Sequence, residues 1–461
     1  MKLYTDQEDT LNKLRQEMTR HKSVLLQAPT GFGKTALAVN MLANAKSKGR
    51  RVVFTVPRKD LLFQTSMAFK EYGIDHGFVA SGYEQNPFKD SYIGMIDTMA
   101  RRMDRLPQAD LVIFDEAHYG QENLNKIITH YKAAGAYVVG LSATPWKLSG
   151  EGLGKWFSSM VAGPSIKWLI DNGRLSKYRM FAPNTPDLSS LGVTAGDYAS
   201  GELAKFMEGQ RAIIGDAVKH YREKAMGMLN LAFCASINHA RMVADSFNDA
   251  GIAAASIDGS MGNDERREII RRFARREILV LTNCNLCTFG FDLSMASGMD
   301  VTVECMSDLR PTKSLALQMQ KYGRVLRRKN FPALIFDHAG NALEHGLPCA
   351  DREWSLDDRK QGKRGGDRTP PTRQCSQCYF VHTPAPNCPE CGYEYPIVGR
   401  KVKEADGELV EVDIEQQRLA ARKEQGSART LDELIELGKR RGYAKPYAWA
   451  SKVLAGRMMS K

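Results

Sequence analysis

Residues 28–35 read Ala28-Pro29-Thr30-Gly31-Phe32-Gly33-Lys34-Thr35, and the architecture can be built outward from them. It stands between an apolar run, Ser23 to Gln27, and a segment of helical spacing, Thr35 to Ala45. Strand, glycine turn and helix in that order aim backbone N–H groups and a helix dipole at one point, which favours an anion there. Gly31 and Gly33 allow the chain to curl around a phosphate group, with Thr30 in the same turn. Lys34 can reach the β- and γ-phosphates of a nucleotide, and the Thr35 hydroxyl can ligate Mg²⁺. A glycine turn of purely structural purpose does not require Lys-Thr after its second glycine. The usual pattern opens on Gly, where this chain has Ala28.

Outward from that turn, short apolar runs alternate with amphipathic ones. Arg51 to Val56, Leu111 to Phe114 and Tyr137 to Leu141 read as buried strands, and Leu61 to Tyr72 as a helix. The alternation returns with strands expected at Leu229 to Ala235, Ala253 to Ile257, Ile278 to Thr282, Val301 to Cys305 and Ala333 to Phe336. Repeated strand–helix alternation predicts an α/β fold with parallel sheets, here two units in tandem. About 80 residues after the turn, Asp115-Glu116-Ala117-His118 follows a strand directly. Strand ends in such a sheet project side chains beside the phosphate turn. Asp115 suits the metal ion, and Glu116 suits orienting or deprotonating a water.

The 461 residues exceed one hydrophobic core and suggest about three domains. Hydrophobic content of 43% with 26% charged residues is ordinary globular composition, which excludes wholesale disorder. The net charge of +12 fits either a polyanion partner or plain solubility. No secretory signal or membrane-length apolar run is visible, so a cytoplasmic protein without a membrane partner is expected.

The ordered set of motifs resembles superfamily 2 helicases over roughly residues 1 to 345. Gln7, after Tyr4, matches the glutamine that reads adenine in many members. Pro57-Arg58 with Gln64, and Ser236 in Cys234-Ala235-Ser236, match nucleic-acid-contacting motifs. Ser142-Ala143-Thr144 matches the motif that couples hydrolysis to strand movement, and His118 is expected to couple the domains. Thr288-Phe289-Gly290-Phe291-Asp292 matches a motif that assigns Gly290 and Asp292 to the nucleotide. Gln320-x-x-Gly323-Arg324-x-x-Arg327 matches the motif whose arginines complete the catalytic site from the second domain. Arg324 and Arg327 share a face if that segment is helical. Gly140 to Trp146, Leu309 to Thr312 and Asp337 to Asn341 are similar to the RadD-like branch, whose members are DNA-dependent ATPases of recombination and repair. Compact relatives of that kind occur in bacteriophages, which would place the chain in the bacterial host cytoplasm.

The resemblance implies RecA-like domains at 1–163 and 211–345, joined by a connector at 164–210. A basic linker is expected at 346–374, since Arg359 to Arg373 holds six basic residues against one acid. Cys375-x2-Cys378 and Cys388-x2-Cys391 then have the spacing of a zinc ribbon over 375–391. A redox pair or an iron–sulfur cluster are the alternatives. Cys284 and Cys287 have no second pair nearby and read as core or sheet-edge thiols. A polar, basic tail at 392–461 is expected to be partly helical. ATP, Mg²⁺ and Zn²⁺ are the cofactors implied, and nucleic acid the partner, DNA before RNA. The function expected is an ATP-dependent helicase or translocase; an ATP-switched binding module without unwinding and an RNA helicase are the other readings.

Overall fold

The computed structural model describes the chain except residues 1–2, 120, 148, 184, 288–291, 359–370, 397–420, 422, 444 and 460–461. Strand pairing builds two parallel sheets. The first contains β1 (Ser23–Gln27), β2 (Val52–Val56), β3 (Gly77–Val79), β4 (Ser91–Met95), β5 (Leu111–Phe114), β6 (Tyr137–Ser142) and β7 (Ser159–Ala162). Its order is β3-β4-β2-β5-β6-β1-β7. β1, β2 and β5 are buried along their whole length, as continuous apolar runs covered on both faces should be.

The second sheet contains β8 (Tyr178–Phe181) and, after a small hairpin of β9 (Val193–Thr194) and β10 (Asp197–Tyr198), five further strands. These are β11 (Asn230–Phe233), β12 (Ala254–Ile257), β13 (Val280–Asn283), β14 (Cys305–Asp308) and β15 (Ala333–Asp337). The order is β12-β13-β11-β14-β15-β8, every pair parallel. Two differences from the sequence-based expectation have clear causes. β8 lies within the stretch expected to connect the domains, yet pairs with β15 as the edge of the second sheet. β14 begins at Cys305, where the apolar run predicts a strand over Val301 to Cys305: Val301 and Val303 are buried, but pairing with β11 starts only at Cys305. Apolar content reports burial, and register reports pairing.

β16 (Arg373–Gln374) and β17 (Val381–His382) form the cysteine module's hairpin. It packs against β8 through an antiparallel bridge, Phe181 to Phe380, and an Ala182 N–H to Tyr379 carbonyl bond of 2.9 Å. Within the expected linker, residues 354–358 pack on the first lobe, where the Trp354 and Trp146 rings are 5.1 Å apart. Residues 396–461 are a separate unit. In it, helices Leu431–Arg440 and Pro446–Met459 are paired, the first begun by a Thr430/Glu433 capping box.

Candidate active site

β1 delivers the phosphate turn at the carboxyl edge of the first sheet, and the helix Lys34–Lys46 starts from Gly33 at φ 92°. Gly31 stands at φ 90°, so both glycines hold left-handed backbone. Both are also crowded: a Cβ on Gly31 would lie 2.8 Å from Leu175 Cδ2, and one on Gly33 2.6 Å from Gln7 Nε2. Gln7 is buried; it donates to the Phe32 carbonyl at 2.7 Å and accepts from the Tyr4 N–H at 3.1 Å. Lys34 Nζ donates to the Ala28 carbonyl at 3.0 Å. Burial lowers the Lys34 pKa, partly offset by Glu116 and Asp115. Thr30 Oγ1 is buried with no hydrogen-bond partner among the described residues, and the Thr35 side chain is exposed.

β5 and β6 are neighbours, so their carboxyl ends bring Asp115–His118 and Ser142–Thr144 together. Glu116 holds φ 47°, an uncommon conformation for a bulky residue. Burial, with Glu116 alongside, pushes Asp115 up to about 7, and Lys34 opposes the shift. Ser142 Oγ donates to the Thr144 carbonyl at 2.6 Å and lies 2.9 Å from His118 Nδ1. The serine proton is thus committed, which makes Nδ1 the donor and leaves Nε2 as acceptor. Gln320 Nε2 lies 3.4 Å from that Nε2 and donates to Glu116 Oε2 at 3.2 Å. Burial lowers the His118 pKa, with Glu116 opposing the shift.

Gln320 comes from the second lobe, on the helix Leu315–Val325. Gly323 of that helix faces the phosphate turn so closely that a Cβ would sit 2.2 Å from Thr30 Cβ. Arg324 is buried one residue on, its pKa lowered by burial and by Arg327. The helix ends at Val325, so Arg327 does not extend the face of Arg324. It pairs instead with Asp292 Oδ2 at 2.8 Å, while Asp292 Oδ1 caps the helix Leu293–Ser297. Gly290 lies outside the described residues.

The residues expected at nucleic acid are more dispersed. Arg58 reaches across the lobes to the Asn285 carbonyl at 3.4 Å, and Pro57 beside it is buried. Gln64 lines a gap of about 100 Å³ with Phe63, Met67, Arg266 and Arg267. Ser236 is occupied internally: its hydroxyl accepts from the His239 N–H at 2.9 Å and donates to Glu208. Two features had no signal in the sequence. Arg174 lies over the Tyr4 ring at 3.3 Å and pairs with Asp6 at 2.6 Å, closing the start of the chain over the phosphate turn. Lys321, fully buried, donates to both oxygens of Asp308 at 2.7 and 2.9 Å and anchors the helix that carries Gln320 and Arg324.

The residues present fit the groups the motifs imply. Two adjacent acids, an amine and the Thr30 and Gln320 oxygens, which have no partner among the described residues, suit a nucleotide with a divalent cation. At the ribbon, the ligand atoms of Cys375, Cys378, Cys388 and Cys391 lie within 4.8 Å of one another. The Cys375–Cys391 and Cys378–Cys388 sulfurs are each 3.7 Å apart. Four sulfurs about 2.3 Å from a common tetrahedral ion stand roughly 3.8 Å apart, so these two pairs have the spacing a zinc site needs. Burial pushes the Cys375 thiol up, but the Cys378 and Gln377 N–H groups more than reverse this, to about 6. Cys284 and Cys287 lie apart from this set; Cys287 is buried and its thiol raised to about 12 by burial.

Comparison with known proteins accords with this geometry. The family described as "Type III restriction enzyme, res subunit" matches residues 1–147, and "Helicase conserved C-terminal domain" matches residues 212–329. A 51.5 kDa protein of Lactococcus phage (isolate 7-9) is 30% identical over 412 residues, covering 87% of this chain and 86% of that one. The putative ATP-dependent helicase IRC3 of Saccharomyces cerevisiae is 27% identical over 337 residues; the match covers 69% of this chain but only 48% of that relative. Among solved structures, a fragment of a putative HsdR subunit of a type I restriction enzyme from Vibrio vulnificus aligns with a TM-score of 0.58 at 18% identity, covering 74% of this chain and 65% of that one. The type ISP restriction-modification enzyme LlaBIII, bound to DNA, aligns at 0.52 and 17% identity over 73% of this chain and 27% of its own. No described helix is long and apolar enough to cross a membrane. With the two-lobed parallel-sheet architecture, these matches establish that the chain belongs to the superfamily 2 helicases, ATP-hydrolysing motors that act on nucleic acid.

Proposed function

We propose that this protein is an ATP-driven translocase or helicase on DNA, remodelling branched or duplex DNA in replication, recombination or repair. The observation that carries the reading is the contact of Gln320 with Glu116 beside the packing of Gly323 on Thr30. Through it, the position of the second lobe and the geometry at the hydrolytic acid are one variable. Lys34 neutralises the β- and γ-phosphates. Asp115 and Thr35 hold Mg²⁺, which offsets charge on the phosphate oxygens when bound. Glu116 orients the attacking water, and Arg324 and Arg327 stabilise charge on the transferred phosphoryl group. Gln7 recognises adenine, and Asp292 places Arg327. Pro57, Arg58, Gln64 and Ser236 border the strand path. The four cysteines bind one Zn²⁺ that folds the ribbon.

DNA is favoured over RNA by the similarity to LlaBIII, whose structure is described as bound to DNA. The basic excess of the chain supports phosphate contacts with either. The test is an ATPase panel over single-stranded DNA, duplex, fork, branched DNA and RNA at two salt concentrations, with Lys34→Ala as the inactive control. Stimulation by DNA structures above RNA is expected. Stronger stimulation by RNA, or turnover by Lys34→Ala, would overturn the assignment.

A further inference from the structure

After the helix Asn341–His345 the chain stays on the second lobe for a few residues and then crosses back. Arg352 holds the root, donating to the carbonyls of His345 at 2.9 Å, Leu347 at 3.0 Å and Ala350 at 2.9 Å. The hydroxyl of Tyr178 on β8 lies 2.9 Å from Cys349 Sγ. Two residues past Arg352, Trp354 is already on the first lobe, its ring against Trp146. Trp146 Nε1 donates to the Asp357 carbonyl at 2.9 Å, and the Gly154 N–H to the Leu356 carbonyl at 2.9 Å. The Gly152 N–H donates to the Asp358 carboxylate at 2.8 Å. A Cβ on Gly152 would stand 2.0 Å from the Leu356 oxygen, so this close approach requires glycine.

The ground on which these residues dock follows Ser142–Thr144 directly and is bonded to it. The Trp146 carbonyl accepts from Thr144 Oγ1 at 3.2 Å, and the Thr144 carbonyl from Ser142 Oγ. Ser142 meets His118, and His118 meets the Gln320 amide that also holds Glu116. We propose that residues 354–358 are a strap from the second lobe that positions Ser142–Thr144, with Trp354 as its principal positioning residue, and so couples lobe movement to hydrolysis. Two residue steps separate Arg352 from Trp354, a reach of at most about 7 Å. The lobes therefore cannot part at this edge while the strap is docked, and opening pivots about it.

The inference rests on the motor function proposed above. Its test compares full-length wild type, Trp354→Ala, Gly152→Ala and Trp354→Phe. The readouts are binding of a fluorescent ADP analogue, basal kcat and KM for ATP, thermal stability, and the stimulation of kcat by single-stranded DNA. In Trp354→Ala and Gly152→Ala, stimulation is expected to fall roughly 3- to 30-fold, the range that coupling residues remote from both ligands produce. Nucleotide affinity and basal kcat stay within about three-fold, and Trp354→Phe recovers most of the stimulation. Folded Ala variants stimulated like wild type would overturn the strap. So would a parallel loss of affinity, basal kcat and stability, which marks simple packing. A wild type that no nucleic acid stimulates would overturn the motor function itself, and the coupling with it.

Discussion

Gly323 separates the energetics of folding from those of catalysis at a single residue. In a helix interior, Gly→Ala is favourable by up to about 1 kcal/mol. Here the added Cβ meets Thr30 at 2.2 Å, across the lobe boundary. Gly323→Ala should therefore leave the melting temperature unchanged or slightly raised, while kcat falls about 100-fold, as expected for a displacement on the 1 Å scale at a catalytic group. Calorimetry beside steady-state ATPase checks both halves; an unstable variant would place the cost in folding instead. Glu116→Gln makes the complementary case. It should bind nucleotide as wild type does, with turnover reduced about 100-fold or more, as loss of the proposed water-activating acid predicts. Equilibrium binding of a labelled nucleotide distinguishes this from a collapsed site.

At the scale of elements, the helix Leu315–Val325 is held by a buried charge pair. Burial lowers the Lys321 pKa while Asp308 opposes the shift, and Gln318 and Asn341 add bonds to Asp308 at 2.9 Å each. Removing one partner of such a pair leaves a buried charge unmatched, at about 3–5 kcal/mol. Lys321→Met should thus lower the urea midpoint of the second lobe and reduce kcat with it. The ribbon poses a different problem, since residues 375–391 offer few aliphatic or aromatic side chains to bury. Ring contact between Phe380 and Phe181, 5.5 Å between centroids, and the bridge to β8 cover the edge of the second sheet. Zinc measured by elemental analysis should be one per chain and fall in Cys375→Ser and Cys391→Ser. Chelation should then expose β8, and aggregation should rise because an unpaired edge strand templates association. Light scattering reports that step.

For the whole molecule, charge and lobe geometry are distributed differently. The last 36 residues, from Gly426, hold eight Lys or Arg against three acids, outside the unit that carries the catalytic motifs. Ending the chain after Tyr395 should leave basal ATPase intact and weaken DNA binding. The dependence of log Kd on log salt should become shallower by about one unit for each phosphate the tail neutralises in the full chain. Anisotropy at several salt concentrations measures the slope; an unchanged slope would assign the tail's charge to solubility.

The parts whose information is local were legible in the residues alone. The phosphate turn, Asp115–His118 and the cysteine spacing each need only a few neighbouring residues to specify strand, turn and ligand type. Apolar runs located nine strands, with the shift at Cys305–Asp308 arising because burial extends past pairing. What lies far apart along the chain was decided only by tertiary structure. Neither the Tyr4–Arg174–Asp6 closure, nor the Lys321–Asp308 anchor, nor the placing of Arg327 on Asp292 has a spacing rule. The same holds for the segment at 354–358, whose composition gives no hint that it returns to Gly152 and Gly154. Contacts of that kind depend on which surfaces two folded lobes present to each other, and on a glycine small enough to admit a backbone, which no local pattern encodes.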